Sequence, residues 1–351
     1  MPATLPASGR PAVSVIIPAR NEEACLGACL ESLVKQTGAP LEIIVVDDHS
    51  TDRTREIALS FSKQQVHVIE AGQLPPGWTG KNNAVTAGSK AARGEWLLFT
   101  DADTIHLPGS LARSLEEAKR HGASLLSYSP EQIVKTFWEK AIMPVIFAEL
   151  AASYRPSQVS DPNSPAAAAN GQYILIAREA YDAVGGHAAV AANLLEDVAL
   201  ARAVKQSGRK IFFRYGADAV QARMYRNFAQ LREGWAKNLA LLFPAPVRLA
   251  ALRAIEFVLI AASAAIAVSA AVRGSWQPAA AVGALAAIMY GLFLKRICRA
   301  HFAWDANLLA VFGLPLFSYL LLRSKSAHRQ GSVAWKGRKY SDERRLLATG
   351  H

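Results

Sequence analysis

Over roughly the first 240 residues, short β-branched runs alternate with charged stretches of helical period. VSVIIP (13–18) ends in proline, and the NEEACLGACLESLVKQ that follows spaces its apolar residues at helical intervals, which predicts strand, loop, helix. LEIIVVDD (41–48), QVHVIE (65–70) and EWLLFTDAD (95–103) read as further strands. HSTDRTREIALSFSKQ, opened by Ser and Thr capping candidates, and NNAVTAGSKAA read as further helices. The strands are apolar at nearly every position, so both of their faces are covered, and the pattern predicts an α/β fold around a mostly parallel central sheet. Ligands of such sheets sit beyond the carboxyl ends of the strands. Three of those ends are polar here: Ala19 to Glu22, Asp47 to Asp48, and Asp101 to Asp103.

Past Pro244 and Pro246 the pattern changes to long runs of Ala, Leu, Val, Ile and Phe. Ala254 to Val272 is long enough to cross a bilayer at ~1.5 Å per residue, and Pro278 to Leu294 is a shorter second candidate. Trp276 falls in the brief connection between them, where an interfacial aromatic is expected. Asn307 to Leu322 is a third apolar stretch, interrupted by Gly313 and Pro315. The alternative is an alanine-rich soluble bundle; paired spans with a short connection and basic flanks weigh against it. The expected organisation is a disordered terminus (1–11), an α/β domain (12–243), a helical membrane region (244–322) and a basic tail (323–351).

Composition sharpens this picture in two places. The net charge of +11 over 351 residues suits nucleic acid, anionic lipid or a phosphorylated substrate, so its location matters more than its sum. Residues 323–351 hold eight Lys or Arg against two acids, which favours the cytosolic side of a membrane. Three full crossings from a cytosolic α/β domain would put that tail outside. The Gly313 and Pro315 interruption permits a re-entrant or interfacial third segment instead. The three cysteines, Cys25, Cys29 and Cys298, lack metal-ligand spacing and read as reduced thiols. MPATLPASGRPA shows no secretory signal pattern.

Five stretches carry candidate chemistry. In GEWLLFTDADT (94–104) two carboxylates one residue apart end a strand; they either cap the next turn or make a hard oxygen site for Mg²⁺ or Mn²⁺. DDHSTD (47–52) holds more acid than capping requires, and a carboxylate there can accept from a nucleobase N–H. GWTGKNNA (77–84) places Lys81 at a helix amino end, as a diphosphate ligand or as a solvated loop lysine. LLEDVALARAVKQSGRKI (194–211) opens a helix with Glu196 and Asp197 among apolar neighbours, a setting that raises a carboxylate toward general-base duty, or else simply favours the helix start. RMYRNFAQLREGWAKN (223–238) is basic and aromatic, fit for an anionic phospholipid surface or for phosphate. KTFWEKAIMPVIFAELAASYR (135–155) is either an interfacial helix or a buried one.

Taken in order, VSVIIPARNEE, IIVVDDHSTD, GKNNA, GEWLLFTDADT, NGQYILIAREAYDAVGGH and LLEDVALARAVKQSG resemble the inverting family 2 glycosyltransferases of GT-A fold, over about residues 12–240. RMY, GWAKN and WKGRKY (335–340) resemble the membrane-bound branch acting on lipids such as ceramide, hopanoids and carotenoids. The resemblance implies that Pro18, Ala19 and Glu22, with Asp47 or Asp48, hold the uracil and ribose of a UDP-sugar. It implies that Asp101 meets ribose or metal, that Asp103 ligates Mg²⁺ or Mn²⁺ bridging the diphosphate, and that Lys81 lies nearby. Asn170, Gly171 and Gln172 would line the sugar side, and Asp197, paired with Glu196, would deprotonate the acceptor. Arg223, Arg232, Trp235, Lys237, Trp335, Lys336 and Arg338 are candidate phosphate or acceptor contacts.

The family's Q-x-x-R-W signature is altered to QLREGWAKN, which disfavours processive synthesis. The implied enzyme is a metal-assisted hexosyltransferase at the inner membrane, multi-pass, with a cytoplasmic catalytic domain, a lipid acceptor and no nucleic-acid partner. The alternatives are a processive polysaccharide synthase, a catalytically silent membrane scaffold of the same fold, or a nucleotidyltransferase; the last leaves Asp197 and the membrane region unexplained.

Overall fold

In a computed structural model the described residues are 11–335 and 338–340, with the side chains of 333–340 left aside. In chain order the elements are β1 (Val13–Ala19), α1 (Leu26–Val34), β2 (Leu41–Asp47), α2 (Thr54–Ser60), β3 (Val66–Glu70), α3 (Gly80–Ala91), β4 (Trp96–Phe99), β5 (Thr104–His106), α4 (Ser110–His121), β6 (Leu125–Ser129) and β7 (Glu131–Gln132). There follow α5 (Phe137–Ser153), α6 (Pro156–Ser160), β8 (Ile174–Ala177), α7 (Arg178–Ala183), α8 (Glu196–Gln206), β9 (Ile211–Tyr215) and β10 (Val220–Ala222). The chain ends in α9 (Phe228–Leu242), α10 (Pro246–Val272), α11 (Trp276–Ile297), α12 (Trp304–Leu309), α13 (Gly313–Gln330) and the paired strands β11 (Val333–Trp335) and β12 (Arg338–Tyr340). Two compact units result: residues 1–133 with 154–224, and residues 134–153 with 225–351.

The first unit is built on a seven-stranded sheet of order β3-β2-β1-β4-β8-β6-β9. All its neighbouring strands run parallel except β8, which is antiparallel to both β4 and β6. The apolar runs divide by strand period between two cores. Val13, Val15, Ile17, Ile43, Val45 and Leu98 join one; Ile16, Ile44, Val46, Leu97 and Phe99 join the other. Helix α3 lies so close to the sheet that a Cβ on Gly88 would stand 2.5 Å from Ile16 Cγ2. A three-stranded sheet, β5-β10-β7, supplements the main one.

The second unit is helical. Helix α5, carrying Pro144, is buried along its middle, while Phe137 and Trp138 at its start are exposed. The paired hydrophobic runs are longer than their sequence bounds: α10 begins at Pro246, and Trp276 opens α11 rather than lying in the connection. Pro278 sits inside the first turn of α11, where a missing N–H costs nothing. For the same reason Pro315 is accommodated in the first turn of α13, which opens at Gly313, where the backbone abuts Ala141. Three helical segments are long and apolar enough to cross a membrane, but they differ in packing: 6% of the most apolar stretch is buried along α10, 17% along α11, and 50% along Trp304–Gln330.

Candidate active site

Each motif of the first unit arrives at the carboxyl edge of the sheet for a local reason. After β1, Asp48 N donates to Ala19 O at 2.8 Å and Arg20 Nη1 donates to Asp48 O at 2.6 Å, joining the β1 and β2 ends. Glu22 N donates to Thr54 Oγ1 (2.7 Å). Asp47 and Asp48 are both buried. Asp47 Oδ1 accepts from Ser50 N at 3.2 Å. The N-cap of α2 is Arg53, with no side-chain cap, rather than the Ser or Thr expected from the sequence; just before it Asp52 Oδ1 accepts from Thr54 N at 3.0 Å.

Thr79 caps α3 by accepting from Asn82 N at 3.2 Å, which places Lys81 in the first turn, where partial positive charge gathers. The Lys81 ammonium is 2.8 Å from Asp101 Oδ1 and 2.9 Å from Glu196 Oε1. Burial pulls its pKa down, but the two carboxylates and their hydrogen bonds outweigh burial and hold it well above the usual lysine range. Gly171 passes directly beside this ion triad. A Cβ there would lie 2.9 Å from Lys81 Nζ, 3.5 Å from Glu196 Oε1 and 3.6 Å from Asp197 Oδ2.

Glu196 and Asp197 open α8. Asp197 Oδ2 accepts from Gly171 N at 3.0 Å and Oδ1 from Val198 N at 2.8 Å. Burial pushes its pKa up, the adjacent Glu196 charge adds to that, and Lys81 and the two backbone donors oppose it; the balance is about 6. The DAD turn is braced from behind by Thr104 Oγ1, which donates to Asp101 O at 2.7 Å. Asp103 O accepts from Arg223 N at 3.3 Å, and its carboxylate receives Gln172 Nε2 at 3.3 Å on each oxygen. Asn170 orders that turn, its Oδ1 accepting from Gln172 N at 3.0 Å.

Lys81, Asp101, Gly171 and Glu196 line a void of about 10 Å³ together with Pro18 and His187. The sequence reading did not single out His187. Burial lowers its pKa to about 4, so it is neutral at pH 7, and its Nδ1 lies 3.0 Å from Tyr181 Oη. The GGH in the glycine-rich turn was its only trace in the sequence.

The donor set suits a divalent cation. Asp101 and Asp103 supply hard oxygens, and a lysine ammonium already sits against Asp101 as a stand-in positive charge. Among the described residues no cluster of three or more His, Cys, Asp or Glu gathers as a metal cage.

The remaining candidates belong to the second unit. Trp235 is buried, with Nε1 3.4 Å from Met143 Sδ and its ring edge-on to Phe147. Arg232 and Lys237 line a cleft of about 610 Å³ with Arg323 and Gln330. Trp335 and Arg338 pair across β11 and β12, while Lys336 lies outside the described residues.

Residues 14–185 match the profile described as glycosyl transferase family 2. The 4,4'-diaponeurosporenoate glycosyltransferase of Staphylococcus aureus strain MRSA252 is 30% identical over 341 residues, 94% of this chain and 88% of that protein. Its counterpart in strain NCTC 8325 is 30% identical over 339 residues, with the same coverage. Among solved structures, a mannosyltransferase of Pyrobaculum calidifontis in complex with GDP-Man and Mn²⁺ matches with a TM-score of 0.52 at 19% identity, over 91% of this chain and 87% of that one. That likeness concerns the fold.

Proposed function

The chain belongs to glycosyl transferase family 2 and is a glycosyltransferase of GT-A fold, and from that premise we propose that it moves one sugar from a UDP-sugar to a lipid acceptor, with inversion. The observation that carries this reading is the cluster at the sheet edge, where Asp101 and Glu196 hold the Lys81 ammonium and Asp197 stands beside them on backbone donors. The α3 amino terminus and Lys81 form an anion site for the diphosphate. Asp101 and Asp103 would hold Mg²⁺ or Mn²⁺, which when bound supplies neutralisation of the leaving diphosphate. The polar ends of β1 and β2, with buried Asp47 and Asp48, would receive uracil and ribose.

Asp197 is the base. Its two oxygens are oriented by Gly171 N and Val198 N, and each keeps a lone pair for the proton of an attacking hydroxyl. A pKa raised to about 6 leaves it ionised at neutral pH, yet a better proton acceptor than a solvated aspartate. Activity therefore falls as pH drops through about 6. A carboxylate acceptor carries no proton to remove and would depend on Asp197 far less.

The relatives' named activity on diaponeurosporenoate and the exposed apolar helices support one acceptor class, an apolar lipid of carotenoid kind. Helices α10 and α11 form the membrane hairpin, with Val258, Ile266 and Ile288 all more than half exposed. Helix α13 does not cross. Gly313 abuts Ala141 of α5, Ser318 Oγ donates to Ala250 O (2.8 Å) at the start of α10, and Ala240 N of α9 donates to Ser324 Oγ (2.9 Å). A crossing α13 would drag α9, with Arg232, Glu233 and Lys237, into hydrocarbon, at several kcal/mol per charge. The catalytic domain and residue 323 onward thus share the cytoplasmic face, and a tag at His351 reached only from outside would refute this.

The activity is tested by supplying membranes containing the protein with candidate labelled UDP-sugars and weighing the labelled lipid. A single added sugar is expected. A labelled polymer would establish the processive alternative, and no transfer with any donor would favour a silent scaffold.

A further inference from the structure

Gln132, on β7, was no part of the sequence reading, yet it completes a chain of buried amides that ends on the DAD turn. Gln132 Nε2 donates to Gln172 Oε1 at 3.0 Å, and Gln172 Nε2 donates to both oxygens of Asp103 at 3.3 Å. Both glutamines are buried, at 8% and 4% exposure. Gln172 is locked from its backbone as well, because its carbonyl accepts from Thr100 Oγ1 at 2.8 Å and its N–H donates to Asn170 Oδ1 at 3.0 Å.

The direction of this chain is dictated by charge. An ionised carboxylate only accepts, so Gln172 must turn its NH₂ toward Asp103 and its oxygen toward Gln132. Gln132 must then present its own NH₂. Its Oε1 is left over, and among the described residues that atom is buried with no hydrogen-bond partner. A buried orphan acceptor is unfavourable wherever it occurs, so the arrangement trades stability for a fixed orientation at the far end of the chain.

We propose that Gln132 is a positioning residue for the metal ligand Asp103: through Gln172 it holds the carboxylate so that a divalent cation meets it in one orientation. This inference rests on the metal reading of the Asp101–Asp103 turn given above. A neutral amide suits the task because it orients a carboxylate without cancelling its charge. Outer partners of this kind tune metal affinity by about 10–100-fold when removed.

The test is Mn²⁺ binding to the full-length protein in detergent with UDP present, followed by electron paramagnetic resonance of free Mn²⁺, for the parent, Gln132→Leu, Gln132→Glu and Asp103→Asn. Gln132→Leu removes one orphan acceptor, Gln132 Oε1, and leaves another, Gln172 Oε1, so the count is unchanged and the protein keeps its thermal midpoint while Mn²⁺ affinity falls about tenfold. Gln132→Glu is isosteric but accepts only. It pulls the Gln172 NH₂ away from Asp103 and turns an oxygen toward it, so affinity falls further than in the leucine variant. In both, excess Mn²⁺ restores the transfer rate. If Asp103→Asn loses Mn²⁺ while both Gln132 variants stay within twofold of the parent, the positioning role is overturned and the metal site stands. If Asp103→Asn binds Mn²⁺ as the parent does, the metal reading itself fails, and this inference with it.

Discussion

Two partly buried charge clusters, one in each unit, combine carboxylates and cations in different proportion. In the second unit Glu149, Arg253, Glu256 and Arg296 form a closed ring: Arg253 pairs with Glu149 at 2.9 Å and Glu256 at 3.0 Å, and Arg296 pairs with each at 2.7 Å. Two guanidiniums meet two carboxylates, so nothing is left for a ligand. In the first unit the Lys81 ammonium serves Asp101 and Glu196 while Asp197 stands beside them on backbone donors. The ring fastens α5 to α10 and α11; the cluster with surplus acid is the one suited to chemistry.

Substitutions probe that contrast. The largest effect belongs to Asp197→Asn, expected to lower transfer to a hydroxyl acceptor by about 10²–10⁴-fold, measured as kcat on the labelled lipid. Its stability should move the other way. A folded pKa of about 6 lies above the unfolded value near 3.8, so the native state binds the extra proton and stability declines as pH rises between those values. The asparagine variant should therefore melt higher than the parent at pH 7–8, with the difference vanishing below pH 4. Equal melting at both pH values would count against a strained carboxylate.

In the balanced ring the prediction concerns stability. Glu149→Leu leaves two guanidiniums sharing one acid and should cost about 3–5 kcal/mol by thermal unfolding in detergent, whereas replacing all four residues by leucine should recover most of it. An unrecovered quadruple variant would mean the ring does more than neutralise itself.

Lys81→Met comes next. Loss of a charge-assisted contact of about 1.5–3 kcal/mol should weaken UDP-sugar binding roughly 10–100-fold by calorimetry. Because Lys81 lowers the Asp197 pKa, the acid limb of the pH–rate profile should also move to higher pH. An unmoved limb would separate the lysine from the base. Gly171→Ala is the mildest. Its Cβ would displace the ammonium from 2.9 Å, and a loss of roughly fivefold in kcat/KM is expected, below the 1.4 kcal/mol that tenfold represents. A loss as large as that of Lys81→Met would show that the turn itself, and not the ammonium, is being distorted.

Much of the site was legible because it lies at strand ends. Asp47, Asp101 and Lys81 each follow a β run or open a helix, and period and capping rules locate such positions from local sequence. Gln132 and His187 were not legible. Each is a lone polar residue with no local pattern, brought to the site by β7 and by the glycine turn after α7. Trp235, a candidate phosphate or acceptor contact by sequence, is buried against Met143 and Phe147.

By itself the sequence determined the alternation of buried strands and helices, the acid-rich ends of β2 and β4, and the long apolar helices, because these depend on period and composition within a few residues. Only the tertiary structure decided which carboxylates share the Lys81 ammonium, which amide reaches Asp103, and that α13 is half buried against α5, α9 and α10 rather than exposed like α10. Those outcomes depend on pairing between segments tens of residues apart, Lys81 with Glu196 and Gln132 with Gln172, and local hydrophobic pattern carries no record of such partners.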